Sequence, residues 1–100
     1  MLNSDKILRI INENQQDIRK FGVKSIGLFG SYATNKQKPE SDIDFLVEFK
    51  KGKKTFDNYM DLKFYLEKIF DCNVDLVIKE ALKVDLKPNI LKSVKYAEGL

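Results

Sequence analysis

Ten residues separate a glycine-serine pair, Gly30-Ser31, from the carboxylates of Asp42-Ile43-Asp44, and a third aspartate interrupts the apolar run Val74-Asp75-Leu76-Val77-Ile78. Glycine lets a backbone approach phosphate oxygens closely, and serine offers both an amide and a hydroxyl as donors. Carboxylates supply the oxygen ligands that Mg2+ prefers, beside waters and substrate phosphates. These are the parts of a site for a metal-bound nucleoside triphosphate. Like charges do not gather without cause: at about 4 Å and an effective dielectric near 20, each carboxylate pair costs about 4 kcal/mol. A cation offsets that cost. Two ions about 4 Å apart would divide the work, one activating an attacking oxygen and the other steadying the leaving pyrophosphate.

Each part also has a bland explanation. Asp42, at a strand start, serves equally well as a cap or turn residue. Asp44 and Asp75 lie inside apolar runs, where an unpaired charge is costly, so each needs a ligand or one of the many lysines. Gly-Ser pairs occur in many turns, and only the spacing to the carboxylates makes this one informative. Ser31 is not a nucleophile, because the chain contains no histidine to act as its base; its expected role is grip. Cys72 reads as a small buried hydrophobe, and Tyr32, Tyr59, Tyr65 and Tyr96 as core or rim residues, with Tyr32 close enough to the turn to brush a nucleotide.

The elements that must position these groups are readable in outline. Ser4 caps a helix with apolar positions Ile7, Leu8, Ile10, Ile11, Ile18 and Phe21, closed by Gly22. Val23 to Phe29 is the first strand, leading into the Gly30-Ser31 turn and a short helical piece through Thr34. Asn35 to Ser41, with Pro39, is a loop. Ile43 to Phe49 is the second strand, and side chains two apart on a strand share a face, so Asp42 and Asp44 point the same way. Lys50 to Lys54 is a charged turn, solvated or steering a triphosphate or an acidic partner. Thr55 caps a helix with Phe56, Tyr59, Met60, Leu62, Leu66 and Ile69 mostly along one side. Val74 to Ile78 is a third strand, Lys79 to Leu82 turns helically, and Pro88 opens a last helix through Ile90, Leu91 and Val94. The ten-residue connection between the first two strands allows either an antiparallel return or a crossover.

Composition narrows the chemistry further. One hundred residues, 43% hydrophobic and 33% charged, suit one soluble domain spanning 1–100, with no room for a second substrate-enclosing domain. No secretory signal or membrane span is visible, so a cytoplasmic setting is expected. A single cysteine and no histidine exclude an internal disulfide, paired-cysteine zinc sites and histidine-dependent nucleophiles. A net charge of +3, without an aromatic-basic stripe, ranks direct nucleic-acid binding last.

Leu28-Phe29-Gly30-Ser31, ten residues, Asp42-Ile43-Asp44 and the later Asp75 together resemble the minimal nucleotidyltransferase (MNT) family of the DNA polymerase β-like superfamily, and the resemblance covers nearly the whole chain. It implies an α/β (α+β) fold, a small mixed sheet flanked by helices, with Gly30 and Ser31 at the phosphates of ATP. It implies that Asp42 and Asp44 hold Mg2+, as two ions, and that Asp75 ligates metal and acts as general base. Family members are often paired with a HEPN toxin and act as its antitoxin. They transfer AMP from ATP to a tyrosine of that partner, neutralise it by binding alone, or both. An aminoglycoside-type acceptor would need an oligomer or partner to complete the site. One departure stands out: where the family frequently continues Gly-Ser-x-Ala-Arg-Gly, this chain has Gly30-Ser31-Tyr32-Ala33-Thr34-Asn35. The missing guanidinium puts nucleotide affinity and turn stability in question.

Overall fold

Three apolar runs of the sequence become the three long strands of one sheet in the computed structural model, which describes residues 2–98; Met1, Gly99 and Leu100, part of the expected domain span, lie outside the described residues. The strands are β1 (Val23–Phe29), β2 (Ile43–Phe49) and β3 (Val74–Ile78), and a two-residue strand β4 (Lys95–Tyr96) completes the order β3-β2-β1-β4. β1 runs antiparallel to β2 and to β4, while β2 and β3 are parallel. The connection between β1 and β2 is thus an antiparallel return, and α3 (Phe56–Phe70) provides the crossover that a parallel pair needs. The sheet is mixed and flanked by helices, as the family resemblance implies.

Pleating sorts the strand residues onto two faces. Ile43, Phe45 and Val47 on β2 are fully buried and stand opposite Leu28 and Ile26 of β1 and beside Val74, Leu76 and Ile78 of β3. A bulge between Val23 and Ser25 shifts the register by one. Val23 therefore joins the same face despite its odd number, and is 1% exposed. Helices α1 (Ser4–Glu13), α2 (Gln15–Arg19) and α3 cover this face with Ile7, Ile11, Ile18, Leu62, Leu66 and Phe70. Full burial of each such side chain stabilises the fold by about 1.5–3 kcal/mol.

Several local expectations change. The first helix is capped by Asn3, whose side chain accepts from the Lys6 amide at 2.9 Å; Ser4 is the first helical residue, and its hydroxyl accepts from Lys95 Nζ at 3.3 Å. That helix does not run through to Phe21. It breaks at Asn14, whose side-chain amide donates to the Ile10 carbonyl at 2.8 Å and so competes with the helical ladder. Thr55 does cap α3, accepting from the Asn58 amide at 3.1 Å. Phe56, however, is 77% exposed and Phe64 is 58% exposed, so the apolar stripe of α3 is wider than the face it buries. A 3-10 turn spans Lys79–Ala81, and α4 (Lys87–Ser93), with Pro88 in its first turn, contains no buried residue. Among the described residues no helix is long and apolar enough to cross a membrane.

Candidate active site

The second face of the sheet carries the chemistry. Phe29 of β1, Asp44 of β2 and Asp75 of β3 form one row across the strands, because Phe29 pairs with Asp44 and Asp44 with Asp75. The next row is apolar, Tyr96, Gly27, Leu46 and Val77, and Leu46 is 1% exposed. Asp42 precedes β2 by one residue and lies two positions from Asp44, on the carboxylate side. Asp42 and Asp75 are exposed and Asp44 is half-buried.

Gly30 follows β1 directly and adopts φ +74, a conformation that side-chain-bearing residues rarely take. A Cβ built there would run into the Asp44 carboxylate. Only glycine leaves the space that Asp44 fills, so the turn and the second carboxylate of the Asp-Ile-Asp pair occupy adjoining volumes. After Gly30 the chain makes one tight turn, with the amides of Ala33 and Thr34 donating to the Gly30 carbonyl at 3.1 and 3.2 Å and that of Lys36 to the Ser31 carbonyl at 2.9 Å. It is a turn rather than a helix. Among the described residues, neither the amide nor the hydroxyl of Ser31 has an internal hydrogen-bond partner. Both donors are free for a ligand.

The missing Arg-Gly of the family pattern does not unravel this turn. Asn35 takes φ +58, the left-handed conformation that glycine or asparagine supplies most readily. The Thr34 hydroxyl donates to the carbonyls of Gly30 and Ser31 at 3.2 and 3.3 Å. The backbone shape is kept, and what is lost is the guanidinium charge. Tyr32, by contrast, turns inward: it is 6% exposed within the core cluster and does not brush a nucleotide. Cys72 is half-buried against the same cluster, and burial, then the charges of Asp71, Asp42 and Glu67, push its thiol pKa up. A thiol so placed stays protonated.

Electrostatic tension marks the carboxylate row. Burial first, then Asp75, then Asp42 lift the Asp44 pKa from 3.8 to about 6. Among the described residues the lysine ion pairs are Lys20 with Asp17 and Lys24 with Glu48, so no lysine relieves the three aspartates. At the same time, no three aspartate, glutamate or cysteine side chains stand close enough, among the described residues, to clasp an ion as they are. The trio is grouped but splayed. The two observations fit together because register fixes the backbone positions of Asp44 and Asp75 side by side, about 4.8 Å apart as for any neighbouring strands. An all-oxygen donor set of this kind suits a hard divalent cation such as Mg2+, and the Gly30 cradle beside it suits phosphate. Three surface grooves lie elsewhere, between α1 and Tyr96, between the start of α3 and the Lys79–Ala81 turn, and along β3. None of these three is lined by Asp42, Asp44 or Asp75.

The chain matches the nucleotidyltransferase domain family over residues 4–97. It belongs to that family. It is 36% identical over 97 residues to the protein adenylyltransferase MntA of Thermococcus cleftensis, an alignment covering 96% of this chain and 97% of that one. A solved structure described as a minimal nucleotidyltransferase superposes with a TM-score of 0.80 at 24% identity, covering 94% of this chain and 95% of the other, which shows the shared fold. A toxin-antitoxin structure with AMP-PNP superposes with a TM-score of 0.69 at 27% identity, over 99% of this chain and 75% of that one. The chain is thus a nucleotidyltransferase of the MNT group.

Proposed function

We propose that this nucleotidyltransferase transfers AMP from Mg-ATP to a hydroxyl, a tyrosine, of a HEPN-family toxin and so acts as that toxin's antitoxin, working as a single domain over residues 1–100. The observation that carries the reading is the pairing of Asp44 with Asp75 beside a Gly30 turn whose Ser31 donors are unused. The relative from Thermococcus cleftensis, a protein adenylyltransferase, and the neighbour crystallised as a toxin-antitoxin with AMP-PNP support the choice of nucleotide and of partner class.

In this reading Gly30 and Ser31 grip the triphosphate through backbone amide and hydroxyl. Asp42, Asp44 and Asp75 would hold Mg2+, as two ions, which would supply Lewis-acid stabilisation of the transferring phosphoryl group. Asp75, exposed on β3, takes the proton from the acceptor hydroxyl. With Asp42 and Asp75 exposed, the row suits an acceptor presented by a second protein, which would exclude water on docking.

The test incubates the chain with α-labelled ATP, Mg2+ and a HEPN-family protein. Label on the HEPN protein that disappears when Asp42→Asn and Asp44→Asn are combined supports transfer. Toxin neutralisation that survives those substitutions without label supports the non-catalytic reading, in which binding alone silences the partner. Thr34 and Asn35 standing where the family has Arg-Gly, and the splayed aspartates, favour that second reading.

A further inference from the structure

The edge strand β3 carries Asp75 on one face and presents Leu76 and Ile78 to the other, where they meet the start of α3. Two grooves of about 290 and 330 Å3 open there, and they share Tyr59, Ile78 and Ala81, so they form one continuous furrow. Its floor is apolar, and Phe56 on its rim is 77% exposed. Each part is at the low end of small-molecule site volumes, about 300 Å3, which suits side-chain anchors of a larger partner. Lys54 lines the furrow. It closes a run in which Lys50, Lys51, Lys53 and Lys54 are all exposed and, among the described residues, none is held in an ion pair.

We infer that this furrow is the docking surface for the protein acceptor, and that it takes an acidic amphipathic helix whose apolar side chains enter beside Phe56 while its carboxylates meet the lysine run. The inference rests on the proposed function, in that the acceptor is a protein. Charge complementarity selects an acidic partner. A strand added to the β3 edge is disfavoured, because the Tyr59 hydroxyl already donates to the Leu76 carbonyl at 2.6 Å and occupies an acceptor that an added strand would use. The three-residue step from Asp75 to Ile78 spans about 10 Å of strand, so a helix seated at the furrow holds its own chain within reach of the carboxylate row around the sheet edge.

The test uses the chain as it stands, with a HEPN-family protein as the probe, and compares wild type with Phe56→Ser and with the double change Lys53→Glu, Lys54→Glu. These are exposed positions outside the carboxylate row, and an unchanged thermal midpoint confirms folding. Each variant is expected to raise the KM for the HEPN protein about tenfold, the effect of losing one interface anchor, with kcat and the KM for ATP unchanged. High salt should erase the defect of the lysine variant by weakening wild type to match, and leave that of Phe56→Ser in place. Unchanged KM in both variants overturns the inference. So does a Phe56→Ser defect confined to self-association of the chain alone, or to binding of a short single-stranded RNA. If wild type transfers no label, the proposed function fails separately, and calorimetric titration of the HEPN protein onto the same variants decides the furrow. A Kd weakened about tenfold supports it; an unchanged Kd, or no binding even to wild type, overturns it.

Discussion

The two faces of one sheet have been put to opposite uses. On the helix-covered face every interior position of β2 is apolar and fully buried, from Ile43 through Phe45 to Val47. On the other face the alternate positions of the same strand run Asp44, Leu46, Glu48, and Asp44 is held against two further carboxylates with, among the described residues, no lysine ion pair to relieve it. A strand optimised only for stability would not place charge at Asp44. The difference teaches that the stable face carries the cost of the strained one: the helices make the sheet rigid enough for three aspartates to be kept near one another.

That contrast can be broken from either side. The largest effect is expected on the carboxylate face, where Asp44→Asn should lower AMP transfer about 10²–10³-fold, the scale of losing one preorganised electrostatic group, while leaving the denaturation midpoint no lower than wild type. A midpoint that falls together with activity would mean that Asp44 is structural. On the helix-covered face Phe45→Ala, one residue along, should cost about 3–5 kcal/mol of stability through the cavity it leaves, read by denaturant titration. Gly30→Ala joins the two faces' concerns, since it strains a positive φ and drives a methyl group into Asp44. It should lose about 1–3 kcal/mol and, in addition, weaken ATP binding measured by calorimetry.

The smallest effect is a pH signature. The Asp44 pKa is raised from 3.8 to about 6 in the folded chain. This shift favours folding most fully below the unfolded value, and the advantage is lost as pH rises through about 6. Without divalent cation, Asp44→Asn should therefore raise the thermal midpoint above pH 7 and change it little at pH 4. Mg2+ should raise the midpoint of wild type above pH 7, and EDTA should reverse the gain. An identical Mg2+ response in wild type and in Asp44→Asn would separate the cation from this carboxylate.

Much of this arrangement was legible in the residues because it is local. All three long strands follow from apolar, β-branched runs bounded by Gly22, Gly30 and the lysine turn, and the shared side of Asp42 and Asp44 follows from a period of two. Thr55 announces its helix because a threonine cap is a short-range bond. The features that escaped depend on distant partners or on close competition. Asn3 and Ser4 are both good caps, and Lys95, ninety-one residues away, engages the Ser4 hydroxyl. Asn14 looks like any polar helix residue until its amide turns back on the Ile10 carbonyl. The outward position of Phe56 was hidden because helical spacing gives a stripe but not its width. The pairing of Asp44 with Asp75, on which the site turns, required the parallel register that only the crossover of α3 sets.

The last strand has a consequence for how the chain comes into being. A Cβ on Gly27 would meet Val94 at 2.6 Å and Tyr96 at 3.0 Å, so the middle of β1 is shaped to receive a segment made some seventy residues later in synthesis, a count that follows from the positions Gly27 and Tyr96. Until that segment emerges, β1 offers a bare hydrogen-bonding edge to any other nascent chain nearby. Completion of the sheet thus waits on a segment far along the chain, and until it arrives that edge is open to wrong pairing.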